Sequence, residues 1–229
     1  MLLPGNFEIG ESRKLVLIGE AGSGKTELAM NIAAQLKLVT QAPAVFLDMD
    51  QTKPLFRARD AAQALREQGV TFNVAQQFLD APVVPHGVKA ALSDPEVYVV
   101  MDVGGNKAGA LCLGQYAQEL EEAKAQVFYT INPYRSFSQT AGHIAQTMEM
   151  ILSACRMQDI RIVGNPYIGP QTTPEDYRAG AEHLESMLQE IGHSVYGWLI
   201  PQSLKAQLQP LPPRYLLIDS FMSGVLDIS

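Results

Sequence analysis

A glycine-spaced loop that ends in lysine and threonine is the part of this sequence best suited to chemistry. Residues 19–26, GEAGSGKT, match the pattern G-x-x-x-x-G-K-[ST] and lie between an apolar run and a helix-forming segment. Glycines let backbone N–H groups converge on phosphate oxygens, and the following helix adds the positive end of its dipole. Lys25 would face solvent and bind the β- and γ-phosphates, while the Thr26 hydroxyl would bind Mg²⁺. The pattern predicts a phosphate-binding loop, with a glycine-rich turn and a surface lysine as the alternative.

Carboxylates follow two further apolar runs. Asp102 in VVMDVGG would hold the water shell of the Mg²⁺, and the small Gly104 and Gly105 would let the backbone approach and sense the γ-phosphate. In FLDMDQ, Asp48 and Asp50 end another run, and Asp50 would orient the attacking water. Ligands of open α/β sheets gather at this carboxyl edge of the strands. Each aspartate taken alone is also consistent with an ordinary turn after a strand.

The segment NPYI, residues 165–168, bears on the choice of base. Guanine-binding P-loop proteins use [NT]-K-x-D, whose carboxylate accepts hydrogen bonds from the guanine N1 and N2 groups. Here Pro166 follows Asn165, and Ile168 occupies the position of the aspartate. The amide of an asparagine suits adenine, which presents one donor and one acceptor. We therefore predict ATP rather than GTP, with a plain Asn-Pro turn as the alternative.

Six apolar runs of strand length alternate with five helix-forming segments, and these elements must position the polar residues. The runs are nearly continuous, which is typical of strands covered on both faces. They span residues 14–19, 44–50, 97–103, 125–132, 160–165 and 195–201. The helix-forming segments are Glu27 to Leu38, Phe56 to Gln68, Ala108 to Glu122, Ser138 to Arg156 and Pro174 to Ile191. The alternation predicts an α/β fold, a mostly parallel central sheet flanked by helices on both faces.

Two stretches fit this alternation less well. Residues 70–95 are the least periodic part of the chain, and we predict one short strand and irregular structure there. The proline-rich LQPLPPRY near residue 210 is interpreted as a rigid surface loop. No linker divides the chain, so we predict a single nucleotide-binding domain over residues 1–229.

Composition and charge exclude several classes of function. The 229 residues are 47% hydrophobic, and a net charge of −7 without a basic cluster argues against a nucleic-acid partner. No apolar stretch approaches the roughly 20 residues of a membrane span, and no leader is recognised, so we expect a cytoplasmic protein without membrane contact. Cys112 and Cys155 form no CxxC pair and are interpreted as buried apolar residues.

Taken together, these residues resemble the MinD/ParA/CobQ branch of the SIMIBI-class P-loop ATPases, close to the carbon monoxide dehydrogenase accessory-type ATPases. The matching segments, in the order of the family, are GEAGSGKT at 19–26, LDMDQ at 47–51, MDVGG at 101–105, IVGNP at 162–166 and LIPQS at 199–203. The resemblance implies a P-loop NTPase fold, with Asp50 as the switch I residue that positions water and Asp102 as the switch II residue in the Mg²⁺ shell. It also implies that Asn165 hydrogen-bonds the adenine edge and that backbone beside Pro201 lines the base pocket.

The residues expected to bind nucleotide or metal form one set. Lys25, Asp50 and Asp102 are the expected catalytic residues, and Thr26, Asp50 and Asp102 are the expected Mg²⁺ ligands. The expected nucleotide-binding residues are Gly19, Gly22, Ser23, Gly24, Lys25, Thr26, Glu27, Gly104, Gly105, Asn165, Pro166 and Pro201.

Two departures from the family pattern bear on mechanism. Many members carry, at the position of Glu20, a lysine that crosses a dimer interface to the partner's phosphate, and a carboxylate cannot stabilise the charge that develops there. Arg135 is the nearest substitute, although a surface arginine beside a helix-capping Ser138 is an equal interpretation. The CxxC of metal-handling relatives is also absent. ATP-dependent homodimerisation is therefore an expectation that the resemblance supports and Glu20 weakens.

We predict an Mg²⁺-dependent ATPase, with ATP and ADP as ligands, that acts as a conformational switch on an unidentified protein partner and turns over slowly without it. A metallochaperone-type GTPase, as in urease or hydrogenase assembly, remains an alternative because similar loop sequences occur in those proteins. A scaffold that binds ATP and hardly hydrolyses it is another. A small-molecule kinase or amide ligase would need an acceptor pocket and a catalytic base that the sequence does not identify.

Overall fold

The computed structural model describes residues 1–50, 62–74 and 87–221, with the backbone alone at residues 73 and 74. The strands are β1 (Leu2–Leu3), β2 (Phe7–Glu8), β3 (Lys14–Gly19), β4 (Ala44–Met49), β5 (Thr71–Val74), β6 (Tyr98–Val103), β7 (Gln126–Ile131), β8 (Arg161–Gly164), β9 (Gly197–Pro201) and β10 (Tyr215–Ile218). The helices are α1 (Lys25–Thr40), α2 (62–67), α3 (Val88–Ser93), α4 (Lys107–Gly114), α5 (Ala117–Glu122), α6 (Ala141–Cys155) and α7 (Pro174–Glu190).

Eight of these strands form one sheet in the order β10-β9-β8-β7-β3-β6-β4-β5, and every pairing within it is parallel. β1 and β2 form a separate antiparallel pair. β3 lies at the centre of the sheet between β7 and β6, so the loop that follows β3 has strand ends on both sides. The predicted α/β fold with a parallel central sheet is confirmed.

Successive residues of β3 point to opposite faces of the sheet, and both faces are covered. Leu15 and Leu17 pack in the cluster that contains the buried residues of α1 and α2. Val16 and Ile18 pack in the cluster that contains those of α3 to α7. This two-sided burial explains why the strand segments have nearly continuous apolar sequences.

The predicted helix over 108–122 is wrong, because two helices occupy that segment. α4 ends at Gly114, where a Cβ atom would lie 2.6 Å from the carbonyl oxygen of Ala154 on α6. The chain then turns so that Tyr116, 7% exposed, enters the core. The close approach of α4 to α6 depends on a residue distant in sequence, which helical periodicity does not show.

Other differences from the predicted elements are smaller. The short strand expected within residues 70–95 is confirmed as β5, but α3 was not expected. β10 was also not expected, since the proline-rich stretch before it was interpreted only as a loop. Residues 62–67 of the helix predicted over 56–68 are helical, and residues 51–61 lie outside the described part of the chain.

Side chains of α1 contact the outer edge of the sheet at β10. Glu27, Asn31 and Gln35, at four-residue spacing, hydrogen-bond backbone groups within residues 217–221 at distances of 2.8–3.1 Å. The Tyr215 N–H donates to the carbonyl of Gly5 at 2.9 Å. The helix that follows the glycine-rich loop is therefore joined directly to the edge strand.

Across the described residues, no helix combines the length and the apolar character that a membrane span requires.

Candidate phosphate-binding site

The loop between β3 and α1 has a backbone that only glycine adopts readily at its last position before the helix. Gly24 has φ 98°, and a Cβ atom there would lie 2.2 Å from Nδ2 of Asn165. Gly24 is also the N-cap of α1, and no side chain caps the helix. Anion sites at helix N-termini have this arrangement. We call residues 19–26 the phosphate loop.

Lys25 is buried, so the prediction that it faces solvent is wrong. Its side chain is 5% exposed, and Nζ donates a hydrogen bond of 2.8 Å to the carbonyl of Glu20. The ammonium group therefore lies against the backbone near the start of the loop.

Thr26 and Asp102 meet at the base of the loop. The Thr26 hydroxyl donates to Oδ2 of Asp102 at 2.7 Å, and Asp102 is fully buried at 0% exposure. Their positions follow from the sheet, because Asp102 pairs in register with Leu17 on β3. A hydroxyl and a carboxylate oxygen at this separation fit Mg²⁺, which takes one or two protein ligands and leaves other positions to phosphate and water.

The carboxylates of β4 lie beside Asp102, as predicted. Asp48 pairs in register with Asp102, and its Oδ1 accepts a hydrogen bond of 3.0 Å from the N–H of Asp50. A Cβ atom on Gly104 would lie 3.1 Å from Oδ1 of Asp50. Asp50 and Gly104, the first of the two glycines after β6, therefore lie next to each other.

Gly105 packs directly on the phosphate loop. A Cβ atom there would lie 2.4 Å from the backbone nitrogen of Ala21, so no other residue fits without displacing backbone. The segment after β6 and the phosphate loop touch through main chain alone. A group that enters between them must move one of the two.

Asn165 joins the end of β8 to the same loop. Its Nδ2 donates to the carbonyl of Ser23 at 2.9 Å, and the residue is 5% exposed. Its Oδ1 and the Ser23 hydroxyl are buried with no hydrogen-bond partner among the described residues. Pro201 ends β9, the neighbouring strand, and lies at the same sheet edge. The role of these residues toward a base stays a prediction.

Glu27 belongs to the first turn of α1, and its side chain contacts the C-terminal segment. Its Oε2 accepts a hydrogen bond of 3.1 Å from the N–H of Phe221. The expected role of Glu27 in nucleotide binding stays a prediction, and in this structure its carboxylate contacts the C-terminal segment.

The side chain of Glu20 is buried rather than exposed on the surface of the loop. It is 2% exposed, and its Oε1 accepts a hydrogen bond from the Ser138 hydroxyl. Burial raises the pKa of the Glu20 carboxyl above its usual range, while the Ser138 hydrogen bond and the charges of Lys25 and Arg135 act in the opposite direction. The residue is thus an internal contact between the phosphate loop and the loop after β7.

The loop after β7 supplies contacts that the sequence did not reveal. The predicted capping of the following helix by Ser138 is wrong: Thr140 caps α6, and its hydroxyl accepts from the N–H of His143 at 3.2 Å. Arg135 donates from Nε to the carbonyl of Gly22 at 3.0 Å. The only signal in the sequence was the position of these residues at a strand's carboxyl end. The two cysteines are buried, as expected.

Replacing Glu20 with glutamine should raise thermal stability more at pH 8 than at pH 5. The folded protein binds the carboxyl proton more tightly than the unfolded chain, so wild-type stability falls as the pH rises above about 4.3, the usual glutamate value. Glutamine keeps an acceptor for Ser138 and removes the charge. For a chain of this size, each kcal/mol of added folding stability should raise the Tm by about 2–4 °C.

Thermal melts of Glu20→Gln and of Glu11→Gln, an exposed glutamate, make the comparison. The first variant should gain on wild type steadily as the pH rises, and the second should follow wild type. A gain that is constant or that shrinks with pH would show that the buried carboxyl is not protonated preferentially in the folded state.

The fold has solved relatives, whereas no protein-family model and no curated protein sequence matches the chain. The cell division protein FtsY from Thermotoga maritima superposes with a TM-score of 0.50 at 15% identity, over 84% of this chain and 63% of that one. A nucleotide-binding protein in complex with ADP from Archaeoglobus fulgidus gives 0.45 at 14% identity, over 81% and 80%. FlhF complexed with GTP and Mg²⁺ gives 0.44 at 18% identity, over 80% and 66%.

The fold class follows from the FtsY superposition together with the parallel sheet. The chain has the P-loop NTPase fold, with the loop of residues 19–26 between β3 and α1. It spans less than two thirds of the FtsY chain.

Proposed function

We propose that residues 1–229 form one nucleotide-binding domain that binds ATP with Mg²⁺ and hydrolyses it. The observation that carries the proposal is the 2.7 Å hydrogen bond between Thr26 and Asp102. It joins the hydroxyl in the first turn of α1 to a buried carboxylate on β6. The N-terminus of this helix has no side-chain cap. A glycine-rich turn without function has no need of a buried carboxylate at that point.

Each residue of the site has a role that follows from its position. Thr26 and Asp102 would hold Mg²⁺, which when bound neutralises charge on the transferring phosphoryl group. Lys25, which donates to the Glu20 carbonyl, would bind the terminal phosphates in place of that carbonyl. Asp50, at the far side of the loop beside Gly104, would orient the attacking water.

The contact between Gly105 and Ala21 supports a switch. Because the two backbones already touch, a terminal phosphate that enters beside the loop would have to displace the segment after β6, and its release would allow the contact to reform. We infer that this movement is what a protein partner recognises. We expect slow turnover in isolation, since Glu20, where the family resembled by the sequence carries a lysine, supplies no cation to the γ-phosphate.

Nucleotide selectivity tests the proposal. ATP with Mg²⁺ should bind at least about tenfold more tightly than GTP, because guanine would leave its N1 and N2 donors without the carboxylate that usually receives them. Calorimetric titrations with ATP, GTP, ADP and GDP measure the ratio. Equal or tighter binding of GTP would replace the ATPase by the metallochaperone-type GTPase.

Assembly is a separate part of the proposal. An ATP-dependent homodimer would have to form without a cation from residue 20, since Glu20 is buried beneath the loop. Sedimentation velocity with and without a non-hydrolysable ATP analogue measures the association. Rapid hydrolysis by an unassisted monomer would contradict the partner-dependent switch.

A further inference from the structure

The loop between β7 and α6, residues 132–140, contacts the phosphate loop at two alternate residues. Nε of Arg135 donates to the carbonyl of Gly22 at 3.0 Å, and the Ser138 hydroxyl donates to the Glu20 carboxyl. Neither contact belongs to the phosphate chemistry described above. Both come from one short segment that the rest of the mechanism leaves unused.

The backbone of this segment is itself fixed by hydrogen bonds. The buried Asn132 accepts from the N–H groups of Tyr134 and Arg135, through its side chain at 3.0 Å and its carbonyl at 3.1 Å. Its Nδ2 donates to the carbonyl of Tyr167 at 2.7 Å, and the Ser138 N–H donates to the Arg135 carbonyl at 2.9 Å. The two donor side chains therefore extend from a fixed turn.

The strand order shows on which side of the phosphate loop Arg135 lies. β7 and β6 flank β3 on opposite sides, so Arg135, which follows β7, lies across the loop from Asp102 and Asp50. It is on the side of Asn165, where a nucleoside would lie. This position does not suit the role of a cation at the γ-phosphate, for which the sequence alone had suggested it.

Peptide geometry gives Arg135 a different role. The C=O and N–H of a trans peptide point in opposite directions, so a carbonyl held outward turns the next N–H inward. Arg135 holds the carbonyl of Gly22, and Asn165 holds the carbonyl of Ser23, its neighbour in the chain. The Gly24 N–H, and the Ser23 N–H, which donates to the Glu20 carbonyl at 3.3 Å, are thereby directed toward the interior of the loop.

We propose that Arg135 and Ser138 are positioning residues that hold the phosphate loop in its anion-binding conformation. Arg135 acts through the Gly22 carbonyl and Ser138 through the Glu20 carboxyl. The proposal rests on the proposed function for its ligand, but the conformation it concerns exists without nucleotide. Glu20 then serves as the acceptor through which Ser138 holds the loop. Arg135 and Ser138 therefore lie apart from the place that a cation at the γ-phosphate would occupy.

Binding and turnover separate the positioning role from a catalytic one. Arg135→Ala should weaken ATP and ADP binding by the same factor, about fivefold to tenfold, and leave kcat at saturating ATP within about twofold. Arg135→Lys should recover less than half of the loss, because lysine lacks the planar Nε–H donor. Arg66→Ala, which removes an exposed arginine on α2, should match wild type. A lower kcat with unchanged affinity, or full recovery by lysine, would overturn the proposal.

Hydrogen exchange of the nucleotide-free protein tests the same proposal independently of the function. Arg135→Ala and Ser138→Ala should each speed amide exchange in residues 19–26 severalfold, with the exchange of β6 and α7 unchanged. Unchanged exchange in the phosphate loop of both variants would overturn the proposal. If wild type bound no nucleotide, the proposed function would fail, and faster exchange in the variants would still support the positioning role.

Discussion

Replacing Lys25 with alanine should reduce the affinity for ATP with Mg²⁺ by at least about 100-fold, since two charge-assisted hydrogen bonds to phosphate contribute roughly 3 kcal/mol or more. The ammonium group is buried and hydrogen-bonded to the carbonyl of Glu20 in the phosphate loop. Calorimetry or displacement of a fluorescent ATP analogue measures the loss.

The matched control for this variant is Lys37→Ala, which removes a lysine from the last turn of the same helix. It should bind ATP as wild type does. Thermal melts of both variants establish that α1 still folds, which is necessary because Lys25 is buried. Unchanged ATP affinity in a folded Lys25→Ala protein would show that the loop is a structural turn.

Asp50→Asn should slow ATP hydrolysis by about 10²–10³-fold while ATP affinity stays within about threefold of wild type. Asparagine has the same shape beside Gly104 and lacks the charge that orients and polarises water. Because basal turnover is expected to be slow, single-turnover phosphate release with excess protein is the appropriate measurement.

Asp159→Asn is the control for Asp50, because Asp159 is exposed and precedes β8 at the opposite edge of the sheet. It should hydrolyse ATP at the wild-type rate. If Asp50→Asn lost Mg²⁺-dependent affinity instead of rate, Asp50 would hold the metal rather than the water. Equal rates in all three proteins would remove Asp50 from the mechanism.

The parts of the site's geometry that followed from the sequence are those set by local pattern and by sheet order, while the roles of these residues toward nucleotide stay predictions. Residues of the phosphate loop follow a fixed spacing, and Asp102 ends an apolar strand. Parallel strands bring their carboxyl ends to one edge, so the meeting of Thr26 and Asp102 followed from assigning both strands correctly. The contact between Asp50 and Gly104 has the same origin.

The parts that the sequence could not predict depend on contacts between loops. For Glu20 the sequence offered only a resemblance to a family with lysine at that position, and only the packing of the loop after β7 shows that it is buried against Ser138. The burial of Lys25 has a similar cause, because residue spacing does not determine how a loop curves. The sequence pattern also did not show the end of α4, which lies at Gly114, where this helix packs closely on α6.

The contacts between α1 and β10 have a consequence for how the sheet can grow. Unpaired main-chain groups along an outer strand are a template on which a strand from another molecule can add. Here the Tyr215 N–H donates to Gly5 and the Leu217 carbonyl accepts from Gln35, while Asn31 and Glu27 bond residues 219 and 221 just after the strand. A strand that paired with β10 would have to displace Gly5 and Gln35. Strand addition at this edge would therefore compete with contacts of α1, the helix that begins at the end of the phosphate loop.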